Sequence, residues 1–324
     1  MRAIISVAGV GSRLRPHTYT LPKVLLNVAG KPILGHILDK AIQEGITAAT
    51  LIVGHMGEMV EEYVRANYDI SIDFVQQPVR EGLGHSIYLA RHVLLDDPVL
   101  IILGDTIFDV DLQPVLAGGS SALGVKVVDD ARRFGVVELE DDRVVRLIEK
   151  PENPPTNLAI VGIYYIHAPR LLADSLTDIV DNDRRTRGEY QLTDALQLML
   201  DRGERFTTFP VDGWYDCGKP ETLLETNRHL LESQRQERKL PGVVFNPPVH
   251  IAPTARITNS IIGPYATIAD EAVIDDAVVV DSIIGERAEV SRAMLRESIV
   301  GNHAVIRGRY SRVNAGDSSE LDLG

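Results

Sequence analysis

The chain of 324 residues is long enough for one large core and a smaller second module, because single hydrophobic cores stop growing near about 250 to 300 residues. Its 44% hydrophobic and 24% charged residues are ordinary for a globular protein. The formal net charge of −13 argues against a general nucleic-acid binder, which needs a basic face to displace counterions. We therefore expect no nucleic-acid partner, and basic residues concentrated locally.

Cysteine usage and hydropathy also restrict the class of protein. Cys217 is the only cysteine, so an intrachain disulfide is impossible and a reducing, cytoplasmic compartment is expected. No apolar run approaches the roughly 18 residues that a membrane-spanning helix needs, so no membrane partner is expected. The apolar start of the chain is interpreted as a first strand rather than a signal peptide, since no convincing cleavage site follows it.

The first distinctive stretch follows that strand and reads A-G-V-G-S-R-L-R-P-H-T-Y-T-L-P-K, from Ala8 to Lys23. Glycine-interrupted backbone after a strand lets the amides of residues 9–12 turn toward one point and hold an anion. Arg13, Arg15 and Lys23 place three cations around that point, and a guanidinium fork suits phosphate oxygens. The stretch predicts a polyphosphate cradle, although the same glycines could instead make an ordinary tight turn.

Strand-like and helix-like segments alternate over the first half of the chain, which is typical of a doubly wound sheet with parallel strands. The run Val99 to Leu103 has no polar alternation, so it predicts a central strand that is covered on both faces. Ligands of such sheets bind at the carboxyl ends of the strands, where Asp105 follows in the tripeptide G-D-T. Helical spacing returns later, at residues 169–176, 192–200 and 220–238.

The last part of the chain is repetitive. Three copies of one phrase, N-S-I-I-G, D-S-I-I-G and E-S-I-V-G, start at residues 259, 281 and 297. Bulky aliphatic residues recur every six positions, and small alanines accompany several of them. This period builds the flat faces of a triangular parallel β-solenoid, because the small side chain fits the corner and the large one fills the axis. A β-sandwich is the alternative, but sandwiches do not keep a six-residue step over several turns.

Two aspartates stand at the ends of predicted strands with glycine nearby, Asp105 in G-D-T and Asp216 in W-Y-D-C-G. Their carboxylates can approach a hard cation without crowding. Because Mg²⁺ needs only one or two carboxylates besides waters and phosphate oxygens, we predict that Asp105 and Asp216 hold Mg²⁺. Either aspartate alone would more often cap a helix or turn.

Two further motifs offer groups for a nucleotide and a sugar phosphate. Gln77 and Gly82, in Q-P-V-R-E-G, combine a side-chain amide that can pair with a base edge and a glycine that lets the backbone come close. Glu149 and Lys150 begin E-K-P, where a carboxylate suits sugar hydroxyls and an ammonium suits a phosphate. A polar loop before a helix and a surface ion pair of little energetic value are the respective alternatives.

The stretch from Ala8 to Lys23, continued by A-G-K-P at residues 29–32, resembles the signature loop of the sugar-1-phosphate nucleotidyltransferases, G-x-G-T-R-L-x-P-x-T…P-K…K-P. Ser12 replaces the usual threonine, and S-V-A-G stands where an apolar residue and two small ones normally precede the glycine. The motifs G-D-T, E-K-P and W-Y-D-C-G and the hexapeptide repeats follow in family order. The layout is most similar to the glucose thymidylyltransferases with an added β-helix.

The resemblance implies an α/β fold, in which a doubly wound, Rossmann-like nucleotidyltransferase domain precedes a short left-handed parallel β-helix of hexapeptide repeats. We expect the catalytic domain at residues 1–238, a linker at 239–248, the β-helix at 249–310 and a flexible tail at 311–324. The β-helix is short for a catalytic module of its own, so we expect it to assemble the chain into a homo-oligomer.

The resemblance also implies roles for individual residues. The nucleotide-binding positions are Ala8, Gly9, Gly11, Ser12, Gln77 and Gly82. The sugar-phosphate-binding positions are Gly135, Glu149, Lys150, Val161 and Glu189. The catalytic cations are Arg13, Lys23 and Lys150, and the metal ligands are Asp105 and Asp216.

The implied reaction converts a nucleoside triphosphate and a sugar 1-phosphate into a nucleoside-diphosphate sugar and pyrophosphate, with no protein nucleophile. We expect dTTP and glucose 1-phosphate as substrates, giving dTDP-glucose. The alternatives are a UTP-glucose-1-phosphate uridylyltransferase, which the G-L-G-H sequence after Glu81 resembles, and a mannose-1-phosphate guanylyltransferase. A catalytically silent regulatory or scaffold subunit is an alternative of another class, and the intact charged motifs argue against it.

Overall fold

A computed structural model describes residues 1–234 and 239–308, and the chain divides into two compact units. The first unit comprises Met1–Leu26 and Lys31–Thr226, and the second comprises Asn27–Gly30 and the chain from Asn227 onward. The expected tail, 311–324, lies outside the described residues.

The elements up to the last helix alternate as the sequence predicts. The helices are α1 (Ile33–Gln43), α2 (Gly57–Asn67), α3 (Leu83–Leu89), α4 (Gln113–Leu116), α5 (Pro169–Asp181), α6 (Leu192–Asp201) and α7 (Pro220–Glu232). The strands are β1 (Arg2–Ser6), β2 (Asn27–Val28), β3 (Lys31–Pro32), β4 (Ala48–Val53), β5 (Ser71–Gln76), β6 (Val99–Leu103), β7 (Thr106–Asp109), β8 (Ser121–Val127), β9 (Gly135–Glu140), β10 (Arg143–Glu149), β11 (Leu158–Ile166), β12 (Phe206–Pro210) and β13 (Gly213–Asp216).

A nine-stranded sheet organises the first unit, in the order β10-β9-β11-β6-β1-β4-β5, with β8 beside β11 and β12 beside β8. The strands β6, β1, β4 and β5 are parallel, while β11 runs antiparallel to β6. The predicted central strand is β6, which lies between β1 and β11. Its residues Ile101 and Ile102 point to opposite faces, as neighbours in a strand do, and both are fully buried. The sheet is therefore covered on both faces, and the doubly wound fold is confirmed.

Helices α3, α5 and α6 supply apolar side chains to one core with the sheet. Ile87, Leu176 and Leu196 are fully buried there beside Ile4 and Ile101 of the central strands. In α5 and α6 the buried positions recur at helical spacing, so each helix buries one face and exposes the other. The third predicted helix, at residues 220–238, ends at Glu232 as α7, and residues 235–238 lie outside the described part.

The second unit contains the predicted solenoid. Its strands are β14 (Val244–Phe245), β15 (Val249–Ile251), β16 (Arg256–Thr258), β17 (Ile261–Ile262), β18 (Ala266–Ile268), β19 (Val273–Asp275), β20 (Val278–Val280), β21 (Ile283–Ile284), β22 (Glu289–Ser291), β23 (Met294–Arg296), β24 (Ile299–Val300) and β25 (Val305–Arg307). Every third strand pairs in parallel, which gives three four-stranded sheets. These triplets are the arrangement predicted for the left-handed β-helix.

The six-residue period places bulky aliphatic side chains on the axis of the solenoid. Ile262, Ile268 and Ile274 are fully buried in its core, and Ala266 and Ala272 are buried with them. Aliphatic residues also stack in register from one turn to the next, as in the pairing of β18 with β21. The first solenoid strand, β14, lies inside the segment 239–248 that the sequence analysis treats as a linker, because Phe245 already pairs with Ile262.

The second unit also includes parts of the chain that the repeats do not reveal. Asn227 of α7 is fully buried, and its Oδ1 accepts hydrogen bonds from the amide of Ala29 at 2.9 Å and from Thr267 Oγ1 at 2.6 Å. Its Nδ2 donates to the carbonyl of Tyr265 at 3.1 Å. The dipeptide Ala29-Gly30, which the sequence analysis assigns to the signature loop, thus belongs to the unit that contains the solenoid. Within the described residues, no helix has the length and apolar character of a membrane span.

Candidate active site

The glycine loop leaves β1 and forms three short 3₁₀ turns, Ser12–Leu14, His17–Tyr19 and Lys23–Leu25. Gly11 has φ +66°, and a Cβ there would lie only 2.9 Å from Cβ of Lys23, so both its conformation and its surroundings require glycine. Thr18 Oγ1 donates to the Gly11 carbonyl at 2.8 Å and holds this turn. A Cβ at Gly9 would meet no atom within 4 Å, so the backbone there is open to a guest.

A cavity of about 450 Å³ opens at the carboxyl ends of the central strands in the first unit. The predicted site residues that line it are Gly9, Gly11, Ser12, Arg13, Lys23, Asp105, Gly135, Glu149, Lys150 and Glu189. The predicted phosphate cradle, one predicted metal ligand and four of the five predicted sugar-phosphate residues thus lie around one space, although they come from widely separated parts of the sequence.

Five predicted residues do not line this cavity: Ala8, Gln77, Gly82, Val161 and Asp216. Ala8 and Val161 are buried, and Ile160 lines the cavity instead of Val161. Gln77 is also buried, and its Nε2 lies 3.4 Å from the carbonyl oxygen of Gly82. Gly82 precedes Leu83, which does line the cavity. The substrate contacts predicted for Ala8, Gln77, Gly82 and Val161 therefore stay predictions.

Asp216 lies beside the cavity, next to one of its lining residues. A Cβ on Gly218, which lines the cavity, would lie 2.7 Å from Asp216 Oδ1 and 2.8 Å from Arg13 Nη2. The carboxylate and the guanidinium thus border the same space, which only a glycine leaves free.

The two predicted metal ligands lie at one end of a strand pair, because Asp105 directly precedes β7 and Asp216 is the last residue of β13. In the antiparallel pair of β7 and β13, Thr106 is opposite Asp216, and the Cys217 amide donates to the Asp105 carbonyl at 3.0 Å. Directly opposed residues in such a pair have Cα atoms roughly 4.5–5.5 Å apart, so the main chains of Asp105 and Asp216 are close neighbours. Residues that are 111 positions apart in the chain meet because the second strand returns beside the first.

Lys23 lies against the first of these acids. Its Nζ is 2.7 Å from Asp105 Oδ2, and its side chain is 6% exposed, whereas the Asp105 side chain is 38% exposed. The buried ammonium therefore has a carboxylate partner, and the other Asp105 oxygen remains available to a further ligand.

This acid pair fits a hard divalent cation. No group of three or more histidine, cysteine, aspartate or glutamate side chains gathers as a metal site in the described part of the chain. Two carboxylates without a histidine or thiolate suit an ion that keeps waters and takes phosphate oxygens, rather than a four-coordinate zinc.

The opposite side of the cavity is built from the start of β9, the end of β10 and the start of α6. The Glu149 side chain is 8% exposed; its Oε2 accepts from Thr193 Oγ1 at 2.6 Å, and its Oε1 lies 2.9 Å from Lys150 Nζ. This burial does not fit the alternative of a solvated surface ion pair. A Cβ on Gly135 would lie 2.9 Å from Thr193 Oγ1 and 3.2 Å from Glu149 Oε2, so a larger residue there would crowd these two side chains.

Several residues that line the cavity were not predicted from the sequence, among them Thr193, Gln191, Tyr164 and Arg133. Burial, reinforced by the nearby charges of Glu149 and Asp105, raises the pKa of the Tyr164 hydroxyl, which therefore remains a neutral hydrogen-bonding group. Thr193 stands in G-E-Y-Q-L-T-D, a segment from which the sequence analysis selected only Glu189.

Comparisons with known proteins agree with this geometry. The family model described as nucleotidyl transferase matches residues 2–233. A glucose-1-phosphate thymidylyltransferase of Streptomyces antibioticus is 33% identical over 330 residues, which cover 95% of this chain and 89% of that protein. The UTP-glucose-1-phosphate uridylyltransferase AglF of Haloferax volcanii is 32% identical over 251 residues, which cover 73% of this chain and 99% of that protein.

A solved structure of UDP-glucose pyrophosphorylase complexed with UDP-glucose superposes with a TM-score of 0.63, covering 72% of this chain and 99% of that one. Its sequence identity of 24% shows the fold alone. The fold, the cavity and the family match define an enzyme that transfers a nucleotidyl group to a sugar 1-phosphate. The chain belongs to the nucleotidyl transferase family, among the sugar-1-phosphate nucleotidyltransferases, which typically use a divalent metal ion.

Proposed function

We propose that the protein transfers a thymidylyl group from dTTP to glucose 1-phosphate and forms dTDP-glucose and pyrophosphate. The observation that carries this proposal is the convergence of the glycine loop, the Lys23–Asp105 pair and the Glu149–Lys150 pair on one cavity. The preference for dTTP is supported by the thymidylyltransferase relative, which matches nearly the whole chain.

The proposed chemistry is one in-line displacement. An oxygen of the sugar phosphate bonds to the α-phosphorus as the bond from that phosphorus to the α–β bridging oxygen breaks, and pyrophosphate leaves. Positioning and charge neutralisation carry this kind of reaction. Arg13 and Lys23 neutralise charge on the triphosphate, and Lys150 faces the sugar phosphate. Mg²⁺, held by Asp105 and Asp216, supplies further neutralisation of phosphate charge when it is bound.

Two groups of residues complete the proposed binding site. The amides of Gly9, Gly11 and Ser12 and the adjoining Ala8 receive the nucleotide, with Gln77 and Gly82 at the base. Glu149 accepts from sugar hydroxyls, and Gly135, Val161 and Glu189 complete the sugar pocket.

A uridylyltransferase is the second candidate. The AglF relative matches almost its own full length, and the stretch after Glu81 has the G-L-G-H form. Nothing specific favours a guanylyltransferase. A silent scaffold subunit has no physical reason to keep a nearly buried Lys23 paired with Asp105 beside an open glycine loop.

A pyrophosphate-release assay tests the proposal. The purified chain is supplied with Mg²⁺, one of dTTP, UTP, GTP, ATP or CTP, and glucose 1-phosphate or mannose 1-phosphate. We expect the highest kcat/KM with dTTP and glucose 1-phosphate, no release without the sugar phosphate, and loss of activity with excess EDTA. Preferred use of UTP would support the second candidate, and no release from any pair would refute enzymatic activity.

We further propose a catalytic domain at residues 1–238 and assembly of the chain into a homo-oligomer through the β-helix. Outward-facing apolar residues on the sheet that contains β14, β17, β20 and β23 support assembly, since Met294 is 83% exposed and Val244 is 54% exposed. The single cysteine, a buried free thiol, supports a cytoplasmic enzyme.

A further inference from the structure

Two segments of the first unit approach each other beside the cavity. The base segment, residues 77–84, contains the proposed base contacts, and the sugar segment, residues 183–193, contains Glu189. Leu83 from the base segment and Glu189 from the sugar segment both line the cavity. The spacing between these segments therefore affects the width of the space that must hold two substrates.

Main-chain hydrogen bonds join the segments at Tyr190. Its amide donates to the Glu81 carbonyl, and its carbonyl accepts from the Gly84 amide, each at 2.8 Å. A Cβ on Gly82 or Gly84 would lie 2.4 or 2.8 Å from the Tyr190 carbonyl oxygen. The two glycines of the G-L-G sequence are thus explained by the close approach of the sugar segment, a requirement that the sequence analysis did not foresee.

Arg185 adds a charged link between the same two segments. Its Nη2 donates to Glu81 Oε1 at 2.8 Å and to the Tyr190 hydroxyl at 2.7 Å, while its Nε donates to Asp183 Oδ1 at 2.6 Å. The guanidinium carbon lies 4.0 Å from the centre of the Tyr190 ring. The Tyr190 hydroxyl in turn donates to Asp183 Oδ1 at 2.6 Å. One guanidinium therefore holds groups from both segments in a single network.

Arg185 does not itself line the cavity, and its side chain remains 31% exposed. An exposed ion pair of this kind adds little to the stability of a fold. Its distinctive feature is that it joins the segment with the proposed base contacts to the segment with the proposed sugar contact.

We propose that Arg185 is a positioning residue that sets the spacing between the base segment and the sugar segment and so aligns the two substrates. This inference rests on the proposed function, which places the base near Gln77 and Gly82 and the sugar near Glu189. Because both substrates must be held in one fixed geometry for in-line attack, a change in spacing weakens the binding of each.

The test compares Arg185→Met, which keeps the length of the side chain, with Arg185→Lys, which keeps the charge but not the fork. For Arg185→Met we expect KM to rise about tenfold for both the nucleoside triphosphate and the sugar 1-phosphate, the loss expected for a charged hydrogen bond. Turnover at saturation stays within about threefold, because the reacting groups are intact. Arg185→Lys falls between the wild type and Arg185→Met, since a single ammonium does not reproduce a fork.

Arg170→Met is the matched control. Arg170 forms a two-pronged pair with Asp96 at 2.5 and 2.9 Å at the start of α5, and it does not line the cavity. Its loss should leave both KM values within about twofold. Glu81→Ala should reproduce the effect of Arg185→Met, and the double variant should add little, because both changes remove the bond between Arg185 and Glu81 that joins the segments.

The result that would overturn the inference is an Arg185→Met enzyme with both KM values unchanged, with only one KM raised, or with a lowered melting temperature as its sole defect. These outcomes are distinct from failure of the proposed function. If the proposed function fails, the wild-type protein itself will release no pyrophosphate from any substrate pair.

Discussion

At the scale of single residues, the proposed chemistry depends on a few cations that lie near acids. Arg13 borders the cavity next to Gly218 and Asp216, and Lys23 is nearly buried against Asp105. Charge that accumulates on phosphate oxygens during transfer can be balanced by these groups without rearrangement, which is why such residues dominate phosphoryl-transfer catalysis.

Arg13→Ala should lower kcat by about 10³ while the melting temperature changes little, because the exposed guanidinium stabilises charge that develops only in the reaction. Steady-state pyrophosphate release and thermal unfolding measure the two quantities. Arg65→Ala, an exposed arginine of α2 outside the cavity, is the control and should keep full activity. An Arg13→Ala enzyme with most of its turnover would contradict the role.

Thr193→Val removes the hydroxyl that donates to Glu149 at 2.6 Å and keeps the shape of the side chain. We expect KM for the sugar 1-phosphate to rise about tenfold, because the buried carboxylate loses the bond that orients it. KM for the nucleotide should stay constant. Thr177→Val, which removes only a hydrogen bond within α5, is the control. An equal rise of both KM values would show that Thr193 acts elsewhere.

Candidate site residues that stand in a local sequence motif could be selected from the sequence. Asp105 follows the end of β6 and the glycine loop follows β1, so the sequence predicts that both lie at one edge of the parallel sheet, whereas the ion pair of Lys23 with Asp105 was not predicted. Thr193 could not be found in this way, since its partner Glu149 lies 44 positions away and the two meet only when α6 packs beside β10. The glycines of the base segment were recognised, but their closest neighbour, Tyr190, lies in another segment.

At the scale of elements, the site depends on two strand pairs, one between strands that are distant in sequence and one between consecutive strands. The short pair of β7 and β13 brings Asp105 and Asp216 together, and the pair of β9 and β10 presents Glu149 across from Gly135. The alternation of strands and helices in the sequence predicts the doubly wound sheet of the first unit. The return of β13 to β7 has no local signal, because a four-residue strand carries little periodicity.

Helix α7 contains a polar position with a structural role. The fully buried side chain of Asn227 forms hydrogen bonds with the Ala29 amide, the Thr267 hydroxyl and the Tyr265 carbonyl. Asn227→Leu would leave buried donors and acceptors unpaired, each at a cost of about 1–3 kcal/mol. We expect the melting temperature to fall by several degrees, measured by calorimetry.

Asn182→Ala is the control for that measurement. Asn182 directly follows α5 on the surface, and in the described part of the chain its side chain donates to Asp178 of that helix, so its loss should change the melting temperature far less. Equal shifts for the two variants would mean that the buried network does not stabilise the second unit.

At the scale of the whole molecule, two units with different architectures share one chain. The repeats are recognisable from the sequence because the six-residue period recurs over several turns, whereas the inclusion of Asn27–Gly30 in the second unit was not foreseen. The four residues Asn27–Gly30 carry no repeat signal. The hydrogen bonds of Ala29 with Asn227 and Gln234, and the His250 ring against Gly30, show where they belong.

The proposed assembly can be tested through the exposed apolar column of the solenoid. Val244, Ile261, Val278 and Met294 lie in register on successive turns of one sheet. Sedimentation velocity should show a homo-oligomer for the wild type and a smaller species for Met294→Asp, because a charge in an apolar interface is costly. Met59→Asp on α2 is the control. A monomeric wild type would contradict the proposal.

The most direct test of the whole account is a crystal structure with dTTP and Mn²⁺, in which anomalous scattering locates the metal ion. We expect a peak within about 2.3 Å of carboxylate oxygens from both Asp105 and Asp216 and of phosphate oxygens of the nucleotide. A nucleotide bound in the cavity with its metal ion held by other residues, or with these two acids directed away from it, would contradict the account.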